Sequence, residues 1–146
     1  MAQHDACTLL DEDHNEVIRM FEQYKAAHDA RRQQLLAAQI SQALVVHMQI
    51  EEEIFYPAFQ RASGDGELLE DSLREHREAR ELLSRIEADR QNAKLMLELE
   101  DAILHHVNDE REKMFPKARA TQGLDLMRLA GELEMRKTEL MALVTA

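Results

Sequence analysis

Apolar residues recur at intervals of three and four along most of the chain, which is the period of amphipathic α-helices. Turn residues interrupt this pattern at 63–66 and again at 121–123. The pattern predicts a last helix over about 124–144, preceded by helices over about 8–28, 32–62, 66–90 and 93–120. Short turns make consecutive helices antiparallel. The prediction is therefore an all-α fold, an up-and-down four-helix bundle over about 8–120 with an additional C-terminal helix, in one domain covering 1–146.

The composition agrees with a helical protein and narrows the classes of partner. The chain of 146 residues has 4 glycines and 2 prolines and is rich in good helix formers. Its 29 acidic and 18 basic residues give a formal net charge of −11, which disfavours nucleic acid and anionic membranes as partners. Cys7 is the only cysteine, no apolar run is long enough to span a membrane, and the N-terminus lacks a signal-peptide pattern. These features predict a cytoplasmic protein with no membrane or nucleic-acid partner.

Two segments place a histidine and a glutamate on helix faces that are otherwise apolar. In HMQIEEEIFYP, His47 lies four residues before Glu51 and ten before a proline. In HHVNDEREKMFP, His106 has the same spacing to Glu110 and to a second proline. Residues four apart share one face of a helix, so the two side chains of each pair point the same way. We expect each proline to kink or loosen the last turns of its helix.

Two more histidines, His14 and His76, lie on the apolar faces of the first and third predicted helices. Counted at 1.5 Å per residue along antiparallel helices, His14 and His47 both lie roughly 22 Å from the same end of the bundle. Similar counts bring the remaining histidines and glutamates to that level. The sequence thus predicts one polar layer, formed by His14, His47, Glu51, His76, His106 and Glu110.

A bound metal is the simplest reason for such a layer. Two carboxylates inside an apolar core are costly unless a cation or hydrogen bonds compensate their charge. Where a histidine and a glutamate lie one turn apart, the imidazole can hold one ion while the longer carboxylate reaches towards a second. Mixed imidazole and carboxylate ligands with open positions suit iron, with manganese or zinc as the alternatives.

The four motifs together resemble the hemerythrin-like, HHE cation-binding family over roughly residues 5–120. They are, in order, DEDH around His14, HMQIEEEIFYP around His47, REHREA around His76 and HHVNDEREKMFP around His106. The resemblance implies a four-helix bundle that holds two non-haem iron ions with oxygen or carboxylate bridges. Carried over by motif, the four histidines are nitrogen ligands, and Glu51 and Glu110 are the bridging carboxylates.

At one position the chain departs from the oxygen carriers of that family. They have a second histidine one turn further along the third helix, where this chain has Arg80, four residues after His76. The missing imidazole leaves a coordination position for water, another carboxylate or an exogenous ligand. This difference argues against simple reversible oxygen carriage.

Three neighbours of the motifs bear on the ligand set. His105 is the rival of His106 because Glu110 lies five residues beyond it, but His106 continues the apolar face of its helix. Glu52 is a candidate outer group or an extra ligand. Tyr56 lies about half a helical turn from the face of the motif, which favours simple packing over a redox role.

Three functions fit these residues. The favoured one is a non-catalytic di-iron protein that binds dioxygen or a related small ligand in a sensing, storage or stress role. The second is a di-iron enzyme or stress factor that handles peroxide, nitric oxide or the repair of iron centres. The third is a metal-free structural bundle that forms a homodimer through the last helix, although that helix also suits covering the bundle's own core.

Overall fold

The computed structural model describes residues 4–145, and helices account for nearly all of them. The α-helices are α1 Ala6–Ala26, α2 Ala30–Ile50, α3 Tyr56–Ser63, α4 Gly66–Ala88, α5 Ala93–Asp109, α6 Phe115–Ala120 and α7 Leu126–Thr145. One π-helical turn, π1 (Glu51–Phe55), joins α2 to α3, and another, π2 (Glu110–Met114), joins α5 to α6. The described residues include no strand, and the predicted all-α class is confirmed. None of the helices between residues 4 and 145 has both the length and the apolar character that a bilayer crossing requires.

The helices form the predicted up-and-down bundle with an additional C-terminal helix. Its four long helices are α1, the continuous α2–π1–α3, α4 and the continuous α5–π2–α6. α1 packs against α2, α4 packs against α5, and α7 lies against α1 and α2. α7 buries Leu129, Leu133 and Leu140, whereas Met135 and Leu143 are each 70% exposed. One face of α7 therefore covers the bundle's own core, and homodimerisation through its other face stays a prediction.

Side-chain caps fix where the helices begin. The Asp5 carboxylate accepts the backbone N–H of Thr8 at 2.8 Å, so α1 begins at Ala6, slightly before the predicted start. The same capping role at α2, α4 and α5 falls to Asp29, Asp65 and Asn92. α3 ends at Ser63, and the next residue, Gly64, caps it with a φ of 73°, in the left-handed region that glycine adopts without strain.

Each proline is preceded by a π-helical turn. The N–H of Tyr56, next to Pro57, donates to the carbonyl of Glu51, five residues back, and Phe115 bonds in the same way to Glu110. Proline has no N–H and its ring crowds the carbonyl four residues earlier, so a wider turn suits this position. The expected distortion of these helices is thus one extra residue in a single turn.

The core consists of two apolar clusters separated by a polar layer. One cluster lies between α1, α2, α4 and α5 and includes Phe21 and Leu99. The other lies towards α3, α6 and α7 and includes Phe59 and Leu133. Buried histidine and glutamate side chains lie between them, so the polar layer is shielded from water on both sides.

Candidate metal centre

The six polar residues predicted to converge lie together in the middle of the bundle. α1 contributes one histidine, the second long helix a histidine and a glutamate, α4 one histidine, and the fourth long helix a histidine and a glutamate. No residue of the set is more than 5% exposed, and the two glutamates are fully buried: His14, His47, Glu51, His76, His106 and Glu110. Four antiparallel helices bring these faces to one level because residues four apart share a face.

Glu51 is the hub of the layer. Its Oε1 atom lies 3.3 Å from Nε2 of His47 and 3.1 Å from Nε2 of His76. The same oxygen lies 3.6 Å from Nε2 of His106. A single carboxylate therefore faces imidazoles from three different helices.

Glu110 completes the inner set. Its Oε1 atom lies 2.9 Å from Nε2 of His14 and 3.4 Å from Nε2 of His106. The ligand atoms fall into two groups that each lie within 4.8 Å of one another: His14, His47, Glu51 and Glu110 in one, and Glu51, His76 and His106 in the other. Glu51 belongs to both groups.

Several of these atoms face one another without hydrogen-bonding geometry. Among the described residues no hydrogen-bond partner exists for His14 Nε2, His47 Nε2, Glu51 Oε2 or Glu110 Oε1, all of which are buried. His14 Nε2 and Glu110 Oε1 are only 2.9 Å apart, but their orientation does not make a hydrogen bond. A metal about 2.1 Å from each ligand atom holds neighbouring ligand atoms roughly 3.0–3.4 Å apart. Atom types, spacing and unpaired lone pairs all fit bound cations.

A further carboxylate stands behind each histidine, at its Nδ1 atom. The distances are 3.0 Å for His14–Asp11, 3.3 Å for His47–Asp13, 2.6 Å for His76–Glu52 and 2.7 Å for His106–Glu75. Such a partner keeps the proton on Nδ1 and directs the Nε2 lone pair inward, as in metal-binding histidines generally. The sequence left open whether Glu52 is an outer group or an extra ligand, and the structure places it in this outer position.

Arginine or lysine side chains hold three of these outer carboxylates in place. The contacts are 2.6 Å for Arg111–Asp11, 2.6 Å for Lys137–Asp13, and 2.7 and 3.1 Å for the two-pronged Arg80–Glu52 pair. Arg80, at the position of the absent extra histidine, therefore supports His76 through Glu52 and does not enter the layer. The fourth outer carboxylate, Glu75, has His105 3.4 Å away.

His105 and His106 face opposite directions. The His105 side chain is 70% exposed and also lies 3.4 Å from Asp109, forming a third, surface group of metal-binding atom types with Glu75. His106 faces the two inner glutamates. The geometry thus favours His106 over His105 as a ligand candidate.

Tyr56 lies inside the polar layer, and its prediction as a simple packing residue is wrong. Its side chain is 1% exposed. Its hydroxyl lies 2.7 Å from Glu110 Oε2, 3.2 Å from Glu51 Oε1 and 3.2 Å from His76 Nε2. The phenol is therefore a seventh polar group of the centre.

The π1 turn explains why sequence reasoning missed Tyr56. In a straight α-helix a residue five positions after Glu51 would point roughly 140° away from it. The π-helical turn brings the fifth residue back over the first. A signal was present in the repeat, since Tyr56 and Phe115 occupy equivalent places directly before the two prolines. Phe115 also reaches the layer, where its ring stacks on that of His14 at 6.0 Å.

Without a cation, the carboxylates and imidazoles hold one another in charged forms. Burial opposes protonation of His47, but the Glu51 charge and the Asp13 hydrogen bond outweigh it and raise its pKa to about 10. Burial acts likewise on His106, whose pKa is nevertheless raised well above its usual value, mainly by Glu110. The pKa of Glu51 is lowered well below its usual value, since the charge of His47 overcomes the effect of burial. A metal must therefore displace imidazole protons when it binds.

A small enclosed cavity adjoins the inner atoms of the layer. Its volume is about 10 Å³, which is near the minimum that one water molecule needs. Its walls include all four histidines and the apolar side chains of Val17, Leu44, Ala79, Ile103 and Val107. The centre thus borders a space suited to a very small, weakly polar molecule.

Comparison with known proteins identifies the family. The profile of the hemerythrin HHE cation binding domain matches residues 5–118. The chain belongs to this hemerythrin family. The matched part holds the whole polar layer and stops before α7.

Two known proteins resemble this hemerythrin-family chain, one in fold and the other in sequence. A hemerythrin HHE cation binding domain-containing protein from Mycobacterium kansasii has the same fold, with a TM-score of 0.82 and 19% identity. The superposition covers 94% of this chain and 88% of that one. A DNA nickase from Nostoc sp. is 30% identical over 111 residues, which are 73% of this chain and 31% of the nickase. The chain thus spans less than a third of the nickase's length.

Proposed function

We propose that this chain binds two non-haem iron ions and, with them, dioxygen or a related small molecule in a sensing, storage or stress role. The observation that carries the proposal is the place of Glu51 in both groups of ligand atoms, as expected of a carboxylate that bridges two ions. We assign one ion to His14, His47, Glu51 and Glu110, and the other to Glu51, His76 and His106.

The donor chemistry supports iron. Family membership supports a bound cation in general terms, and four imidazoles with two carboxylates form the mixed nitrogen and oxygen set that suits iron. Manganese and zinc are the competing metals. Bound iron would supply redox chemistry and open coordination positions.

The protein's own residues would hold and shield such a centre. The outer carboxylates fix the imidazole rings, and Tyr56 adds a phenol to a site that lacks the extra histidine. The adjoining cavity, about 10 Å³ in volume, has no room for an organic substrate. Dioxygen, peroxide and nitric oxide are the ligands whose size fits this restriction.

The decisive experiment is metal analysis combined with absorption spectroscopy. Protein purified without oxygen is expected to contain two irons per chain, and its near-ultraviolet and visible spectrum should change when oxygen is admitted. Protein that binds a single zinc would remove the oxygen chemistry. Protein whose melting temperature and helicity are unaffected by metal removal would support the metal-free structural bundle, because a ligand bound only to the native state must stabilise it.

A redox enzyme is the second candidate, and Tyr56 favours it. A buried phenol 2.7 Å from a carboxylate can donate a proton within the centre. Iron-loaded protein should then convert hydrogen peroxide to water and dioxygen, a reaction that needs no added reductant, and Tyr56→Phe should slow this turnover while the iron content stays the same. Absence of turnover by fully loaded wild-type protein would eliminate this candidate.

The nickase relative does not extend the proposal to DNA. The shared region is 31% of that protein, and the formal net charge of −11 opposes contact with a phosphate backbone. We therefore expect no retention of duplex DNA in a gel-shift titration at low salt. Saturable retention would contradict this expectation.

A further inference from the structure

Three cavities of decreasing size meet at Asp13 of α1. An outer groove of about 760 Å³ runs between α1 and α7 and has Asp13 and Lys137 among its walls. A second cavity of about 50 Å³ is bordered by Asp13, Lys137 and His47. The inner cavity of about 10 Å³, beside the proposed ligands, is bordered by Asp13 and His47. Asp13 therefore separates the outer groove from the polar layer.

An ion pair between two helices lies across this line of cavities. Lys137 Nζ donates to Asp13 Oδ1 at 2.6 Å, and Asp13 Oδ2 lies 3.3 Å from His47 Nδ1. Lys137 belongs to α7, beyond the matched domain that ends at residue 118. Its side chain is 36% exposed, whereas that of Asp13 is 11% exposed. A lysine on a flexible stem can leave such a partner without disturbing the helix that carries it.

Acidic side chains outnumber basic ones in the walls of the outer groove. Its charged walls comprise Glu12, Asp13, Glu16 and Glu134, together with Arg19 and Lys137. A cleft lined mainly by one sign of charge raises the local concentration of ions of the opposite sign. The groove is thus suited to collecting cations.

We propose that the groove between α1 and α7 is the route by which a metal cation reaches the polar layer, with the Asp13–Lys137 pair as its barrier. The inference rests on the proposed metal-binding function and adds the access route to it. Lys137 must swing away from Asp13 for the route to open. The C-terminal helix, which lies beyond the matched residues 5–118, then controls how fast metal enters and leaves.

Arg111 offers a matched comparison within the same chain. It holds Asp11 at 2.6 Å, and Asp11 supports His14 at 3.0 Å, just as Lys137 acts through Asp13 on His47. The groove beside Arg111, about 340 Å³ in volume, shares no wall residue with the inner cavity. Both cations support a histidine, but only Lys137 borders cavities that lead inward.

The test measures the rates of ferrous iron binding and of iron release to a chelator, both without oxygen. Lys137→Met should accelerate binding about tenfold if one charged hydrogen bond forms the barrier. Release should accelerate by at least as much, because the support that Lys137 gives to His47 through Asp13 is lost as well. Arg111→Met should speed release alone, since it loosens a ligand without opening a route. Arg136→Met is the neutral control, because Arg136 lies next to Lys137 but pairs with Glu53 outside the layer.

A second variant tests the groove in the opposite direction. Gly131 borders the groove, and a Cβ added there meets no atom within 4 Å, so this position can carry a side chain and Gly131→Trp should narrow the groove. Binding and release should both slow by the same factor. Similar behaviour of Lys137→Met and Arg111→Met, or unchanged rates in Gly131→Trp, would overturn the route while leaving the metal function intact. Wild-type protein that binds no iron would overturn the proposed function itself, and the route with it.

Discussion

Tyr56→Phe removes a single hydroxyl from the middle of the bundle and leaves the ring in place. That hydroxyl lies 2.7 Å from Glu110 and 3.2 Å from Glu51, both of which are fully buried carboxylates. The ring itself is expected to be tolerated, because the equivalent place in the other half of the repeat is already a phenylalanine, Phe115. The variant therefore isolates one hydrogen-bond donor.

The size of the effect follows from the charge of the acceptor. Losing a hydrogen bond to a charged group costs about 1.5–3 kcal/mol. In a chain of this length each kcal/mol moves the unfolding midpoint by about 2–4 °C, so metal-free Tyr56→Phe should melt roughly 3–12 °C below the wild type. Bound metal ions would compensate the negative charges of Glu110 and Glu51 in place of the hydroxyl. The difference in melting temperature between the variant and the wild type should therefore shrink in metal-loaded protein.

The assay is thermal and urea unfolding followed by circular dichroism, with and without metal. The other tyrosine of the chain supplies the control, since Tyr24 is 6% exposed but belongs to the apolar cluster away from the layer. Tyr24→Phe should change the free energy of unfolding by less than about 0.5 kcal/mol. Equal losses in the two variants, or none in Tyr56→Phe, would refute the placement of this hydroxyl against the carboxylates.

Four further predictions concern the metal and its support. Glu51→Gln should lose both ions, whereas Glu110→Gln should keep the ion of the His76–His106 group; elemental analysis measures this, and equal losses would contradict it. At pH 7, metal binding should release protons, because the pKa of His47 is raised to about 10 and the protonated imidazole must lose a proton to bind metal. Calorimetry in buffers of different ionisation enthalpy measures this release, and identical heats in all buffers would refute it. The raised pKa of His47 stabilises metal-free protein fully below about pH 6.5, and this stabilisation should be lost progressively as the pH rises through about 10. Unfolding curves that show stability increasing over this range would contradict the prediction. Arg80→Met should weaken metal affinity by roughly 10–100-fold, measured by chelator competition, because Glu52 is then no longer held in place. Arg77→Met is the control: Arg77 pairs with exposed Glu70, and its loss should leave the metal affinity unchanged.

The outer contacts explain what Arg80 does in this chain. The absent histidine suggested a vacant coordination position, but the guanidinium fixes Glu52 with two hydrogen bonds, and Glu52 holds His76 at 2.6 Å. These contacts lower the pKa of Glu52 to about 2, against the effect of its partial burial. Glu52 therefore stays ionised and remains an effective anchor for the imidazole. A phenol is also present near that imidazole, since Tyr56 lies 3.2 Å from His76.

The sequence by itself was enough to predict the helices, their order and the polar layer. The helical period is a local property of the sequence, and antiparallel helices joined by short turns place residues at predictable levels along the bundle. The convergence of six residues from four helices was therefore predictable. The two predictions that needed only local periodicity, His106 facing inward and α7 covering the core, agree with the structure.

Only the tertiary structure decided which groups complete the layer and how it is supported. Tyr56 turns inward because of a π-helical turn, which breaks the constant angle per residue on which the sequence argument relied. The Lys137–Asp13 and Arg111–Asp11 pairs join residues 124 and 100 positions apart in the chain. No local pattern specifies such pairs, because the packing of one helix against another determines which long side chains meet.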